Sequence, residues 1–147
     1  MKRKILLING PNLNMLGIRK PEIYGRTTLN DIEQELISYA EKNDCLLKCF
    51  QSNHEGEIID ELHKAYKNTD GIIINPGAYT HYSYAIRDAI ESVMIPTVEI
   101  HLSDIHSRED FRKISVIRPV ALTQISGHGK DGYRMAFDYL LEYLENN

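Results

Sequence analysis

The sequence predicts an α/β fold in which a five-stranded parallel sheet is covered by helices on both faces. Two continuous apolar runs carry much of that expectation. Ile5-Leu6-Leu7-Ile8 and Ile72-Ile73-Ile74 lack period-2 alternation, as strands buried on both faces do. Stretches with apolar residues at helical spacing separate the strand-like runs throughout. No linker, repeat or low-complexity segment interrupts the 147 residues, so residues 1–147 are expected to form a single domain.

The elements follow in order. After the first run come Asn9, Gly10, Pro11, Asn12 and Asn14, which is turn chemistry. Leu16 to Thr27 shows neither helical nor strand periodicity, yet holds Arg19, Lys20, Tyr24 and Arg26. A connection of that length reads as a functional lid. Thr28 suits an N-cap, with Asp31 as capping-box partner. Leu29, Ile32, Leu36, Ile37 and Ala40 then mark one helical face, which Asn43-Asp44 ends. Cys45–Gln51 is the expected second strand, and Ser52–Gly56 a polar loop. Ile58, Ile59, Leu62, Ala65 and Tyr66 mark the second helix.

Gly71–Asn75 is the third strand, broken by Pro76-Gly77. Tyr82–Val93 is the third helix, with Ala85, Ile86, Ala89 and Ile90 inward, and Pro96–His101 the fourth strand. Ser107 is placed to cap a short helix in which Arg108 and Arg112, at i and i+4, share a face. Val120–Ser126 is the fifth strand. Tyr133, Ala136, Phe137, Leu140 and Leu144 mark a closing helix. Five alternations of strand and helix imply right-handed βαβ units. At this length they imply a three-layer, flavodoxin-like domain with strand order 2-1-3-4-5.

Composition excludes several classes. Seventeen basic and 21 acidic side chains give a net charge of −4 without a basic block, so nucleic acid is not an expected partner. No apolar run approaches membrane-spanning length. The apolar run after Lys2, Arg3 and Lys4 is too short for a signal peptide. Cys45 and Cys49 lie four residues apart in one strand, about 13 Å along it, which is beyond disulfide reach. Both are expected to be reduced and buried, as in a cytoplasmic protein. Neither the P-loop nor the dinucleotide glycine fingerprint is present, and no G-x-S-x-G elbow. The histidines and cysteines show no metal-ligand spacing. Asn9 and Asn75 stand where a phospho-receiver domain needs acids. His54, His63, His106 and His128 read as surface or capping residues.

Ligands of an open parallel sheet bind beyond the carboxyl ends of its strands. Asn9 and Asn12 follow the first strand, Asn75 ends the third with His81 close behind, and Glu99 and His101 end the fourth. In this strand order they are expected to converge on one crevice. Glu99 and His101 point to the same side, about 7 Å apart along the strand. A carboxylate there needs a partner. The pair is either a salt bridge closing the sheet end or a carboxylate that orients a general-acid imidazole, and its place at the strand end favours the second. Tyr24 is either a packed phenol or a general base. The second requires a nearby cation, because a free phenol titrates near 10. Arg19 supplies such a charge if it folds over Tyr24, since a guanidinium cannot take the proton back.

Four blocks together resemble the type II 3-dehydroquinate dehydratases. These are Ile8-Asn9-Gly10-Pro11-Asn12-Leu13-Asn14, Gln51-Ser52-Asn53-His54-Glu55-Gly56, Ile74-Asn75-Pro76-Gly77-Ala78-Tyr79-Thr80-His81 and Glu99-Ile100-His101-Leu102-Ser103. The resemblance implies a flavodoxin-like enzyme that removes water from 3-dehydroquinate without metal or cofactor. It implies a homododecamer, a tetramer of trimers. By position, Tyr24 resembles the base, Arg19 the lid cation and Asn12 the holder of an enolate-stabilising water. His101, oriented by Glu99, resembles the acid. Asn75, His81 and Arg112 resemble groups on substrate hydroxyls, and Leu102 and Ser103 the carboxylate-binding turn. Asp88 resembles a residue that reaches a neighbouring subunit's site. Asp104 and His128 depart from the family pattern, where Asn and Phe are usual. Asp104 is expected to weaken carboxylate binding slightly. The competing expectation is a noncatalytic sugar-acid or nucleotide-binding module on the same fold.

Overall fold

A computed structural model describes residues 1–18 and 21–147, with the side chains of Ile23 and Tyr24 outside the description. Its five strands are β1 (Arg3–Asn9), β2 (Cys45–Gln51), β3 (Gly71–Asn75), β4 (Thr97–His101) and β5 (Thr123–Ser126). They form one sheet in the order β2-β1-β3-β4-β5, and every pairing is parallel. The helices are α1 (Pro21–Tyr24), α2 (Leu29–Lys42), α3 (Glu55–Ala65), α4 (Tyr84–Val93) and α5 (Asp131–Glu145).

The absence of alternation in the apolar strands has a direct cause. Ile5 and Leu7 of β1, Ile73 of β3, and Val98 and Ile100 of β4 pack with Ile32 and Leu36 of α2 and Ala136, Phe137 and Leu140 of α5. Leu6, Ile8, Ile72 and Ile74 point the other way, onto Ile58 and Leu62 of α3 and Ile86 and Ile90 of α4. Both faces are therefore core. Each fully buried side chain of this size contributes about 1.5–3 kcal/mol. Thr28 and Asp31 form a reciprocal capping box on α2, at 3.1 and 3.0 Å, as the sequence indicates. The Thr28 backbone and side-chain hydrogen bonds hold the Asp31 carboxyl below its ordinary value.

The loops after β1 and β3 interlock. The Gly10 N–H donates to the Asn75 carbonyl at 2.8 Å. A Cβ at Gly10 would stand 2.6 Å from the Pro76 oxygen, and one at Gly77, which has φ +59°, 3.1 Å from the Pro11 oxygen. Only glycine meets both demands at Gly77, a positive φ and a close backbone.

Several boundaries differ from expectation. The Leu16–Thr27 segment contains α1 rather than no regular structure; Pro21 at its first position is preorganised for a helical start. Helix α4 begins at Tyr84 behind the Ser83 cap, whose hydroxyl accepts from Ile86 N–H at 3.0 Å, and Ala85 is exposed. Tyr66 caps α3 and is exposed. Ser107 does not cap a helix over Arg108 and Arg112. Asp104 takes the His106 N–H first, at 3.0 Å, and starts a short 3-10 turn, Ile105–Ser107. Arg108 is extended, and Arg112 lies in a separate turn, Asp110–Lys113, so the two arginines share no helix face. Strand β5 starts at Thr123, because Pro119 holds Arg118–Val120 in a 3-10 turn. Cys45 is buried but Cys49 only half-buried, and both are free thiols. Among the described residues, no helix is long and apolar enough to cross a membrane.

Candidate active site

Glu99 and His101 occupy alternate positions on β4, on the face opposite Val98 and Ile100. Their rings and carboxylate do more than share a side: His101 Nε2 lies 2.5 Å from Glu99 Oε2. Glu99 is fully buried and His101 nearly so. Two hydroxyls complete the carboxylate's shell. Thr80 Oγ1 donates to Glu99 Oε2, and Ser115 Oγ lies 2.9 Å from both carboxylate oxygens. Burial pushes the Glu99 carboxyl up. The His101 hydrogen bond and charge, with the Thr80 and Ser115 hydroxyls, outweigh that and hold it below its ordinary value. The pair is therefore a buried carboxylate fixed against an imidazole, the arrangement that orients a general acid.

Asn9 and Asn75 are register partners at the ends of β1 and β3, and both are buried. They face α5, on the other side of the sheet from the Glu99–His101 pair, so the two sets straddle the sheet's carboxyl edge. Tyr133 of α5 joins them. Its phenol donates to Asn9 Oδ1 at 2.5 Å and accepts from Asn75 Nδ2 at 3.1 Å. Asn75 Oδ1 accepts the Gly77 N–H at 3.2 Å. These bonds fix which end of the Asn75 amide faces which way. Asn9 Nδ2 finds no partner among the described residues. Burial pushes the Tyr133 phenol up, which keeps it neutral and able to donate.

Asn12 sits in the left-handed region at φ 70°. Its N–H donates to Asn53 Oδ1 at 3.0 Å, and Gln51 Nε2 donates to Asn53 Oδ1 and to the Gly10 carbonyl. The loop after β2 thus holds the loop after β1, and the Asn12 side chain is left exposed. His81 Nδ1 is 2.7 Å from the Ile114 carbonyl, and its ring packs edge-on against Phe111. That brings the turn after β3 to the turn holding Arg112. Arg112 Nε pairs with Glu109 Oε2 at 2.5 Å. Leu102 is half-buried and Ser103 exposed just beyond β4, with the Leu102 carbonyl held by Gly129 N–H at 3.0 Å. Among the described residues, no three His, Cys, Asp or Glu side chains gather as a metal site.

The family model for dehydroquinase class II matches residues 3–141. The chain belongs to the class II dehydroquinases. It is 57% identical over 143 residues to a 3-dehydroquinate dehydratase of Caldicellulosiruptor saccharolyticus, covering 97% of this chain and 99% of the relative. It is 55% identical over 136 residues to the 3-dehydroquinate dehydratase of Bacillus subtilis, covering 92% of each. The crystal structure of a type II dehydroquinase from Butyrivibrio crossotus superimposes with a TM-score of 0.91 at 54% identity, covering 95% of this chain and 98% of the other.

Two site positions anticipated from the sequence fall in the Leu16–Thr27 segment. Arg19 lies outside the described residues, as does the side chain of Tyr24, whose backbone ends α1. Asp88 is exposed on α4, about one turn from the helix start at Tyr84. Its carboxylate has no hydrogen bond or ion pair among the described residues. Asp104 spends one carboxylate oxygen on its own turn, and His128 is exposed. Thr80, Ser115 and Tyr133 were not singled out as site residues from the sequence. The available signal was indirect: a carboxylate placed in a strand buried on both faces demands hydroxyl or cationic donors.

Proposed function

We propose that the chain dehydrates 3-dehydroquinate to 3-dehydroshikimate by anti elimination through an enolate, with residues 1–147 acting as one catalytic domain. The observation that carries this reading is the ionised Glu99 carboxylate locked against His101 at the carboxyl end of β4. Removal of water β to a ketone needs a base for the α proton, a stabiliser for the enolate oxygen and an acid for the departing hydroxyl. Tyr24, kept ionised by Arg19, takes the α proton. The electrons move to the ketone oxygen, where a water held by Asn12 stabilises the charge. They return to form the carbon–carbon double bond as the hydroxyl leaves with a proton from His101. Asn75, His81 and Arg112 hold substrate hydroxyls, and Leu102 and Ser103 hold the carboxylate through backbone N–H groups. Every step uses side chains of this chain, so the reading calls for no metal or cofactor.

The same reading places the reaction in the cytoplasm and in a homododecamer built as a tetramer of trimers, with Asp88 reaching a neighbour's site. Exposed Tyr82 and Tyr84, at the start of α4, support a covered surface there. The test is an ultraviolet assay with 3-dehydroquinate. Growth of the conjugated enone product's absorbance is expected from purified protein. Ligand binding with no absorbance change would instead indicate the noncatalytic sugar-acid or nucleotide-binding module.

A further inference from the structure

The dehydration reading needs an acid, and the structure shows how its hydrogens are arranged. Ser115 Oγ accepts the N–H groups of Ile117 at 3.2 Å and Arg118 at 3.0 Å. Both of its lone pairs are engaged, so its single hydrogen points to the Glu99 carboxylate. Thr80, with no exposed surface, gives its hydrogen to Glu99 Oε2. The 2.9 Å approach of the two hydroxyls then carries no hydrogen of its own. Glu99 therefore receives two O–H donors and has only acceptor positions left for the imidazole.

We propose that Thr80 and Ser115 are positioning residues for the acid. Their hydrogens keep Glu99 a pure acceptor, which places the hydrogen of neutral His101 on Nε2 and makes Nδ1 the atom that passes a proton to the departing hydroxyl. Nδ1 has no hydrogen bond among the described residues. The inference rests on the dehydration reading only for what Nδ1 does; the hydrogen arrangement stands on the geometry.

Two measurements test it. The first is solid-state nitrogen NMR of sedimented, ¹⁵N-histidine-labelled enzyme, with His101→Gln used for assignment. Neutral His101 is expected to show a protonated Nε2 and a bare Nδ1; the opposite tautomer overturns the proposal, whatever reaction the protein performs. The second compares Thr80→Val with Thr80→Ser. Valine keeps the volume and removes the donor, and a hydrogen bond to a charged group is worth about tenfold or more in rate. Thr80→Val is expected to lower kcat about tenfold with KM within about twofold, and Thr80→Ser to restore it. The deficit is expected to vanish on an analogue whose leaving group needs no proton. A folded Thr80→Val with wild-type kcat, or a deficit that persists on the analogue, overturns the positioning role. If Thr80→Val does not fold, the tautomer still decides. An absence of dehydratase activity in the wild type would instead overturn the functional reading.

Discussion

Tyr133→Phe removes one oxygen from the most enclosed part of the site and should cost far more than a surface change. The phenol is 1% exposed. Its loss leaves Asn9 Oδ1 without a donor and Asn75 Nδ2 without an acceptor, while Asn9 Nδ2 already lacks a partner among the described residues. Each buried group orphaned this way costs roughly 1–3 kcal/mol. Two of them give about 2–6 kcal/mol, a large share of the roughly 5–15 kcal/mol that holds a typical domain together. For a chain of this size, about 2–4 °C is lost per kcal/mol, so the melting midpoint should fall by roughly 4–24 °C. The assay is thermal unfolding by circular dichroism at fixed protein concentration, because self-association shifts apparent stability. Tyr139→Phe on the same helix is the control. Tyr139 is 44% exposed, and its midpoint should not move. KM should also rise in Tyr133→Phe, since the Asn75 amide loses the contact that fixes its orientation. A midpoint within about 2 °C of wild type would show that the phenol bridge carries no net stability and would refute the reasoning.

Tyr24→Phe should keep the fold and lose about 10²- to 10⁴-fold in kcat; activity within a few-fold of wild type, with an unchanged dichroism spectrum, would remove Tyr24 from the mechanism. Borohydride added with substrate should leave the enzyme active, because the reaction proposed forms no imine; a substrate-dependent mass adduct would contradict this. Burial raises the Cys49 thiol to about 12 from 9.0. The folded chain keeps that thiol neutral while the unfolded chain ionises it, so the contribution to stability is fully present below pH 9 and lost as pH rises toward 12. Disulfide reagents at pH 8 should accordingly titrate both thiols only after denaturation, and a rapid native phase would show that Cys49 is not so protected. Mixing Tyr24→Phe with Asp88→Ala after dissociation and reassembly should restore activity if sites are shared between subunits; mixed oligomers as inactive as either parent would confine Asp88 to its own chain.

The parallel sheet and its order were legible because β1 and β3 are apolar toward both helix layers, Leu7 and Ile73 on one face and Leu6 and Ile72 on the other, leaving no polar face to obscure the strands. The capping box at Thr28 was legible because it is a purely local pattern. The segment after β4 was misread for a reason of competition. Both Asp104 and Ser107 are good caps, and composition does not say that the earlier carboxylate takes the backbone N–H. The acid pair was visible as alternation on β4, but its hydroxyls were not. Thr80 and Ser115 lie 35 positions apart, and their meeting depends on the turns after β3 and β4 packing together. The Asn9–Tyr133–Asn75 bridge spans 124 positions from Asn9 to Tyr133, a separation that no local pattern encodes.

The interlock of Gly10 with Pro76 and of Gly77 with Pro11 bears on how such an enzyme can change its substrate. A side chain at either glycine would push one loop into the backbone of the other, so neither loop has a small neighbouring variant open to it by itself. An altered loop after β1 would need a matching change after β3 in the same step, and single substitutions do not supply paired steps. Adaptation toward a different acid or polyol is therefore channelled away from these two loops. It falls to the turns beyond β4, where Ser103 and Arg108 are exposed and neither side chain caps a turn as Asp104 does.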